Sequence, residues 1–218
     1  MARKLKRSFD VVAALLGLIL LSPLLLALAV AVRLTMGSPV LFRQSRSGLN
    51  GRPFCLRKFR SMTEGRDKAG CLLPDDQRLT RLGSALRKTA LDELPQLWNV
   101  LKGEMSFIGP RPLPVEYWDL YSTEQRRRHE VPPGIVGWAG VNGRNANTWE
   151  KKFELDLWYV DHWSLLLDLK VFFLAFLTVL SGSGVNQEGH ATCGRFTGTG
   201  ATREEYPAVS HEKNYSGL

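Results

Sequence analysis

The chain has 218 residues, 44% hydrophobic and 23% charged, the make-up of a folded protein rather than a disordered or fibrous one. A net charge of +8 and a pI near 9.6 favour anionic partners such as lipid headgroups, nucleotides or phosphorylated lipids; nucleic acid is not expected, because the basic residues are scattered and no helix-turn-helix or zinc-finger spacing occurs. Cys55, Cys71 and Cys193 are odd in number, far apart and form no CxxC, so neither a disulfide framework nor a zinc site is suggested, which fits a reducing cytoplasm, while His129, His162, His190 and His211 lack metal-ligand spacing and read as surface or structural histidines.

In chain order, the first element is an uncharged run from Val11 to Val32. A straight helix of that length would just cross a hydrocarbon layer of roughly 30 Å. Pro23 breaks it: the ring has no N–H and clashes with the carbonyl of Ile19, so a bend is expected, with the Ser22 hydroxyl free to bond a released carbonyl. Arg3, Lys4, Lys6 and Arg7 precede the run, and Arg33, Arg43, Arg46 and Arg52 follow it. Positive charge near a membrane segment prefers the cytoplasmic side, and here both ends carry it. A re-entrant helix that enters, turns at Ser22-Pro23 and leaves by the same face satisfies both ends. A kinked single-pass anchor and a cleaved signal peptide, with small residues at Ala27, Ala29 and Ala31, are the alternatives.

Residues 39–60 read as strands around an Asn50-Gly51 hairpin turn. In the second strand Phe54, Leu56 and Lys58 share one face and Cys55, Arg57 and Phe59 the other. Lys58 is therefore either an edge lysine or an ammonium directed into a pocket. A polar connection, 63–76, leads to a predicted helix from Gln77 to Lys88 with Leu79, Leu82 and Leu86 at helical spacing. Asp92-Glu93-Leu94-Pro95 opens another helix, which Lys102-Gly103 ends. Gly109 to Pro114 must be a stiff, extended loop. Capping boxes start two further helices, Ser122 with Gln125 and Asn147 with Glu150. The second carries an apolar stripe of Trp149, Phe153, Leu157 and Val160, read as packing. A glycine-rich loop, 137–143, leads to Arg144-Asn145. Val171 to Leu180 is apolar but too short to span, and with Trp158, Tyr159 and Trp163 before it, reads as an interfacial helix. Residues 181–218 are rich in Gly, Ser and Thr, with little regular structure expected.

Asp92-Glu93 is the strongest candidate for chemistry. By itself such a pair is most often a helix cap. Its surroundings argue for more: two carboxylates beside a helix start, with Arg87 and Lys88 before them and Arg111 after them. The helix start should lower the acids' pKa and attract phosphate. Two close carboxylates call for cations or a metal, and Mg²⁺ held by one or two carboxylates plus substrate phosphate is a common arrangement. A carboxylate approaching an anionic phosphorus meets roughly 4 kcal/mol of repulsion per charge pair at about 4 Å and an effective dielectric near 20, which cations must offset. Arg111, fixed between two prolines, suits bidentate phosphate recognition.

The stretch Leu91 to Pro112 (LDELPQLWNVLKGEMSFIGPRP) resembles the signature of the bacterial sugar transferases, the monotopic polyprenyl-phosphate phosphoglycosyl transferases. Lys58 to Met62, Asn142 to Asn145 and Ser22-Pro23 resemble further motifs of that family, and the likeness runs from about Lys6 to Leu180. It implies an α+β, mostly helical, single monotopic domain: a re-entrant membrane helix with a basic start (1–36), a catalytic domain with a small β-hairpin and amphipathic interfacial helices (37–180), and a tail (181–218). It implies that Asp92 attacks the sugar-bearing phosphate of a UDP-sugar, that UMP leaves, and that polyprenyl phosphate collects the phosphosugar from Asp92. Glu93 would bind Mg²⁺. Lys58, Arg87, Arg111 and Arg144 would hold phosphates or uridine. Asp156 and Asp168 match acidic family positions but read as helix-surface carboxylates. The tail, Glu188 to Thr192, is similar to the subgroup using UDP-N,N'-diacetylbacillosamine; another UDP-N-acetyl amino sugar or a UDP-hexose is the alternative donor. Val136 and Gly140 depart from the threonine and glutamine of many relatives, which touches sugar preference. The implied partners are the UDP-sugar, polyprenyl (undecaprenyl) phosphate and the phospholipid membrane, with a homodimer as an option. The implied place is the cytoplasmic face of a bacterial inner membrane, both termini cytoplasmic. The competing reading is a basic, membrane-anchored binding module that turns nothing over.

Overall fold

The computed structural model describes residues 1–143, 147–181 and 196–198. The chain opens on two helices, α1 (Ala2–Leu20) and α2 (Ser22–Met36), bent by 63° at Leu21. Pro23 lies in the first turn of α2, where that helix has no acceptor for an N–H of its own. The Ser22 hydroxyl donates to the Ile19 carbonyl at 2.8 Å, so the predicted bend closes its own freed acceptor. No single described helix is long and apolar enough to cross a membrane; the bent pair is, as a broken span or a re-entrant loop. Two of the leading basic residues turn inward. Arg7 donates to the carbonyls of Val100 and Leu101 (2.6 and 2.9 Å), and Lys6 to that of Ile108 (3.1 Å). Leu5, Phe9, Val12, Leu16, Ile19 and Leu20 stay exposed.

The hairpin pairs β1 (Leu41–Ser47) with β2 (Pro53–Phe59), Leu41 opposite Phe59 and Ser47 opposite Pro53. Asn50 and Gly51 both have positive φ (53° and 74°), the backbone for which an Asn-Gly pair is selected. The two faces of β2 serve different layers. Phe54 and Leu56 pack with Ala14, Val100 and Met105; Phe59 packs with Val32 and Leu86.

The predicted helix at 77–88 is two pieces, α3 (Asp75–Arg78) and α4 (Arg81–Thr89). The break has a local cause: Thr80 caps α4, its hydroxyl accepting from the Gly83 N–H at 2.9 Å. Gly83 is needed there, because a Cβ would stand 1.8 Å from the Ser61 carbonyl oxygen. A 3₁₀ turn, Leu91–Glu93, leads to α5 (Gln96–Lys102), which ends at Gly103 (φ 86°) as expected. Asn99, fully buried, bolts α5 to β2: its amide donates to Cys55 O (2.7 Å) and Glu104 Oε2 (2.6 Å), and its oxygen accepts from Arg57 N (3.3 Å).

A second sheet was not predicted. β3 (Ser106–Ile108) pairs in parallel with β4 (Gly134–Val136). Gly134 lets the strands meet; a Cβ there would lie 2.1 Å from Gly109 N. The Ser122–Gln125 capping box forms in both directions and starts α6 (Thr123–Arg126). The short α7 (Trp138–Val141) follows, and Gly140 in it has open space where a side chain would stand. Helix α8 (Trp149–Asp161) is capped by Thr148, not Asn147, whose amide instead donates to Asn142 O (2.7 Å). In α8, Phe153 and Val160 of the expected stripe are buried.

Helix α9 (Leu165–Ser181) starts six residues before the predicted segment. Leu167 and Val171 join Ile108, Val131, Tyr159 and Val160 in the core, while Leu166, Leu169, Phe172, Phe173 and Phe176 are exposed. This is the two-sided pattern expected of a helix lying on an interface. Asp156 and Asp168, read as surface carboxylates, are both buried, because each meets a basic partner from elsewhere in the chain. Phe196, assigned to the tail, packs in the aromatic cluster of Tyr117, Tyr121 and Phe153. The 188–192 motif lies outside the described residues.

Candidate active site

Lys58, Glu93 and Arg111 come from a strand, a 3₁₀ turn and a proline-fixed loop, and they meet on one atom. Glu93 Oε1 accepts from Lys58 Nζ at 2.7 Å and from Arg111 NH2 at 2.6 Å, leaving Oε2 with no partner among the described residues. Of the two sequence readings of Lys58, the inward ammonium is therefore the one realised. Burial pushes the Glu93 carboxyl up, but Arg111 and Lys58 outweigh it and hold the pKa at about 2. Lys58 is not rewarded equally. Burial and Arg111 lower its pKa against the pull of Glu93 and Asp92. The net worth of the pair is thus smaller than the Glu93 shift alone would imply. Glu93 raises the pKa of Arg111 against the effect of burial.

Asp92, one residue earlier, is treated differently. It is 8% exposed and has no hydrogen bond or ion pair among the described residues. Lys58, Arg111 and Arg87 lie within Coulombic reach and favour its charge, yet burial, with help from Glu93, raises its pKa. The expectation that a helix start lowers it is corrected: Asp92 sits in a 3₁₀ turn ahead of a short helix, and desolvation exceeds any dipole there.

Each cation is placed by its own support. Arg111 projects to Glu93 with its side chain 57% exposed, and its backbone carbonyl accepts from Arg128 NH2 at 2.7 Å. Arg128 in turn is paired with Asp156 through Nε (3.0 Å) and NH2 (2.6 Å), both side chains buried. Arg87, on α4, donates from Nε to Ser61 Oγ at 2.9 Å. Arg144 lies outside the described residues. Ser22 and Pro23 are at the bend of the helix pair, as expected.

Two groups that sequence reasoning missed complete the surroundings. Arg46 on β1 and Gln96 on α5 join Lys58 and Arg111 around a pocket of about 50 Å³. Arg46 was visible only as one positive charge among several, and Gln96 only as part of a helix. For a metal, no group of three or more His, Cys, Asp or Glu side chains converges among the described residues. The free Oε2 of Glu93 and the unpartnered Asp92 fit a cation that takes one or two carboxylates and completes its shell with water and phosphate, as Mg²⁺ does.

A family model described as "Bacterial sugar transferase" matches residues 1–182. The uncharacterized sugar transferase EpsL of Bacillus subtilis is 57% identical over 196 residues, covering 90% of this chain and 97% of that protein. The UDP-glucose:undecaprenyl-phosphate glucose-1-phosphate transferase of Klebsiella pneumoniae is 46% identical over 187 residues, covering 81% of this chain and 40% of that one. The UDP-N-acetylgalactosamine-undecaprenyl-phosphate N-acetylgalactosaminephosphotransferase of Aeromonas hydrophila is 42% identical, with 83% and 44% covered. The chain spans nearly all of the first relative and under half of the other two.

Proposed function

The chain belongs to the bacterial sugar transferase family, and from that premise we propose that it transfers a sugar 1-phosphate from a UDP-sugar to undecaprenyl phosphate. The observation that carries the reading is the unequal treatment of two neighbouring carboxylates: Glu93 is clamped by two cations, and Asp92 is buried, without a partner among the described residues, and faced by positive charge. A carboxylate stripped of hydrogen bonds is a better nucleophile than a solvated one, and the cations offset its repulsion by phosphate.

In the first step an Asp92 oxygen attacks the sugar-bearing phosphorus, the bond from that phosphorus to the bridging oxygen breaks, and UMP leaves with the electron pair. In the second, an oxygen of undecaprenyl phosphate attacks the same phosphorus and displaces Asp92, giving undecaprenyl diphosphosugar. Lys58, Arg87 and Arg111 hold phosphate oxygens through both steps; Arg144 joins them on the family likeness alone. Glu93 Oε2 would hold Mg²⁺, which supplies charge neutralisation of the phosphates when bound. Glu93 itself keeps Lys58 and Arg111 aimed.

The exposed apolar faces of α1, α2 and α9 support seating on a bilayer, with the helix pair re-entrant and both termini on the cytoplasmic side. There the lipid's phosphate and a soluble donor meet, and the product opens glycoconjugate assembly. The donor read from residues 188–192 is UDP-N,N'-diacetylbacillosamine, while the named relatives carry UDP-glucose or UDP-N-acetylgalactosamine in their names.

The test is incubation with Mg²⁺, undecaprenyl phosphate and a panel of UDP-sugars. UMP release and an intact-mass adduct of one phosphosugar on Asp92 are expected. Release of UDP, or transfer with no protein-bound stage, rejects the mechanism. A periplasmic amino terminus rejects the hairpin.

A further inference from the structure

The pocket of about 50 Å³ beside the Glu93 cluster holds more positive charge than the chain neutralises. Arg46, Lys58 and Arg111 line it, and the carboxylate on Lys58 and Arg111 is the shared Glu93. Arg46 has no carboxylate partner among the described residues. Its guanidinium donates to neutral oxygens, Pro112 O at 3.3 Å and Gln44 Oε1 at 2.6 Å, and its Nε is buried with no acceptor. Burial and the neighbouring Arg111 bring its pKa down to about 10. A half-buried guanidinium beside a second one gains when an anion joins them.

Gln96 is the second, independent sign. It is 2% exposed, lines the same pocket, and its amide has no hydrogen-bond partner among the described residues. Buried amides are almost always paired, and this one stands open to a group that enters the pocket. Leu56 and Leu113 close the remaining wall. The volume takes a few water-sized groups, enough for a tetrahedral phosphate and far too small for a nucleoside.

We propose that Arg46, Gln96, Lys58 and Arg111 form a second oxyanion subsite, taking a phosphate group other than the one that joins Asp92. This rests on the reading above, in which two such groups visit the site: the phosphate that leaves as UMP and the phosphate of the lipid acceptor. Arg46 and Arg111 offer paired N–H donors, and Gln96 adds a neutral donor that fixes the orientation.

The experiment uses the full chain in lipid nanodiscs. Binding of UMP, inorganic phosphate and uridine is measured calorimetrically for wild type, Arg46→Met and Gln96→Leu, with KM for donor and acceptor alongside. Gln96→Leu breaks no hydrogen bond among the described residues, so its melting temperature should hold and it keeps the test open if Arg46→Met folds poorly. We expect phosphate affinity to fall about tenfold or more in Arg46→Met and roughly three- to tenfold in Gln96→Leu, with uridine unmoved. A rise in donor KM with weaker UMP binding assigns the nucleotide's phosphate. A rise in acceptor KM with weaker inorganic phosphate binding assigns the lipid's. Unchanged affinities and KM values in both variants overturn the subsite. If wild type binds phosphate with this dependence yet releases no UMP from any donor, the transferase reading fails and the subsite stands.

Discussion

Among the described residues, buried charges are arranged in two ways, closed and open. At the junction of α1 and α9, Asp168 accepts from Lys6 Nζ (2.5 Å), Tyr159 OH (2.5 Å) and Trp163 Nε1 (3.2 Å). One carboxylate, three donors and one compensating charge leave nothing for a ligand. Asp156 and Arg128 are closed in the same way. Around Asp92 the opposite holds: among the described residues Asp92 and Gln96, both in buried residues, have no hydrogen-bond partner, the Nε of Arg46 is buried without an acceptor, and cations outnumber the carboxylates they touch. Burial alone therefore does not mark a site. Nor does a single unsatisfied atom, since Ser106 Oγ and His129 Nε2 are also buried without a partner among the described residues; the mark is that open polar groups and uncompensated positive charge meet at one pocket.

The largest effect that can break this contrast is at Asp92. Asp92→Asn should cut turnover by about 10⁴-fold or more and abolish the phosphosugar adduct. It should also stabilise the protein. Burial raises the Asp92 pKa, so the folded state binds the proton more tightly than the unfolded chain, and stability falls as pH rises through the raised value. A neutral Asn removes that cost at neutral pH, worth about 0.5–2 kcal/mol in a denaturant melt. An Asp92→Asn protein that is less stable than wild type would place Asp92 among the closed clusters. The same shift sets the pH dependence of labelling, which should rise with pH as Asp92 loses its proton and reach a plateau above its raised pKa.

The closed side is tested at Asp156. Asp156→Ala leaves Arg128 charged and buried, at a cost of about 3–5 kcal/mol. Arg128→Met with Asp156→Leu should recover most of that stability by replacing the pair with packing. Activity should not return in step, because Arg128 also holds the Arg111 carbonyl. Full activity in the stable double variant would show that Arg111 needs no such hold.

Much of the open site was legible in the sequence, and most of the closed ones were not. Alternation put Lys58 on one face with Phe54 and Leu56, leaving edge and pocket both open, and two prolines marked Arg111 as fixed. Ser22 and Pro23 named both the bend and the carbonyl it frees. These are local signals, readable within a few residues. Asp156 and Asp168 were taken for surface groups because their partners, Arg128 and Lys6, lie 28 and 162 residues away. The parallel pair β3–β4 is three residues per strand, too short to show alternation, and its partners are far apart in the chain. The cap at Thr80 split a helix that leucine spacing ran together, and Thr148 replaced Asn147 one position on. Gln96 and Arg46 carry no local signature; only the fold sets them in one pocket.

An intermediate effect separates the shared carboxylate from both extremes. Glu93 has a folded pKa of about 2 against an ordinary value of 4.5, so its contribution is present above about pH 4.5 and is lost as pH falls toward 2. Integrated over that window it amounts to roughly 3 kcal/mol at most, less what Lys58 gives back through its own lowered pKa. Glu93→Gln should therefore flatten the acid limb of a stability-versus-pH curve between about pH 5 and pH 2 and weaken turnover assayed with Mg²⁺. An unaltered acid limb would mean that Lys58 and Arg111 do not hold Glu93 in solution.

The smallest effect concerns a polar group closed at the edge of the apolar helices. Ser22 Oγ donates to the Ile19 carbonyl, which lacks the Pro23 N–H and also accepts a backbone N–H at the end of α1. In detergent, where water reaches the bend, Ser22→Ala should cost about 0.5–1 kcal/mol, the net value of one exposed hydrogen bond. Inside a hydrocarbon layer no water replaces the lost hydroxyl, so the same substitution should cost clearly more in a nanodisc than in detergent. Thermal melts of wild type and Ser22→Ala in both media read the difference directly. Equal losses in the two would mean that the bend at residues 21–23 sits in water, and the apolar faces of α1 and α2 would then need another partner than the bilayer core.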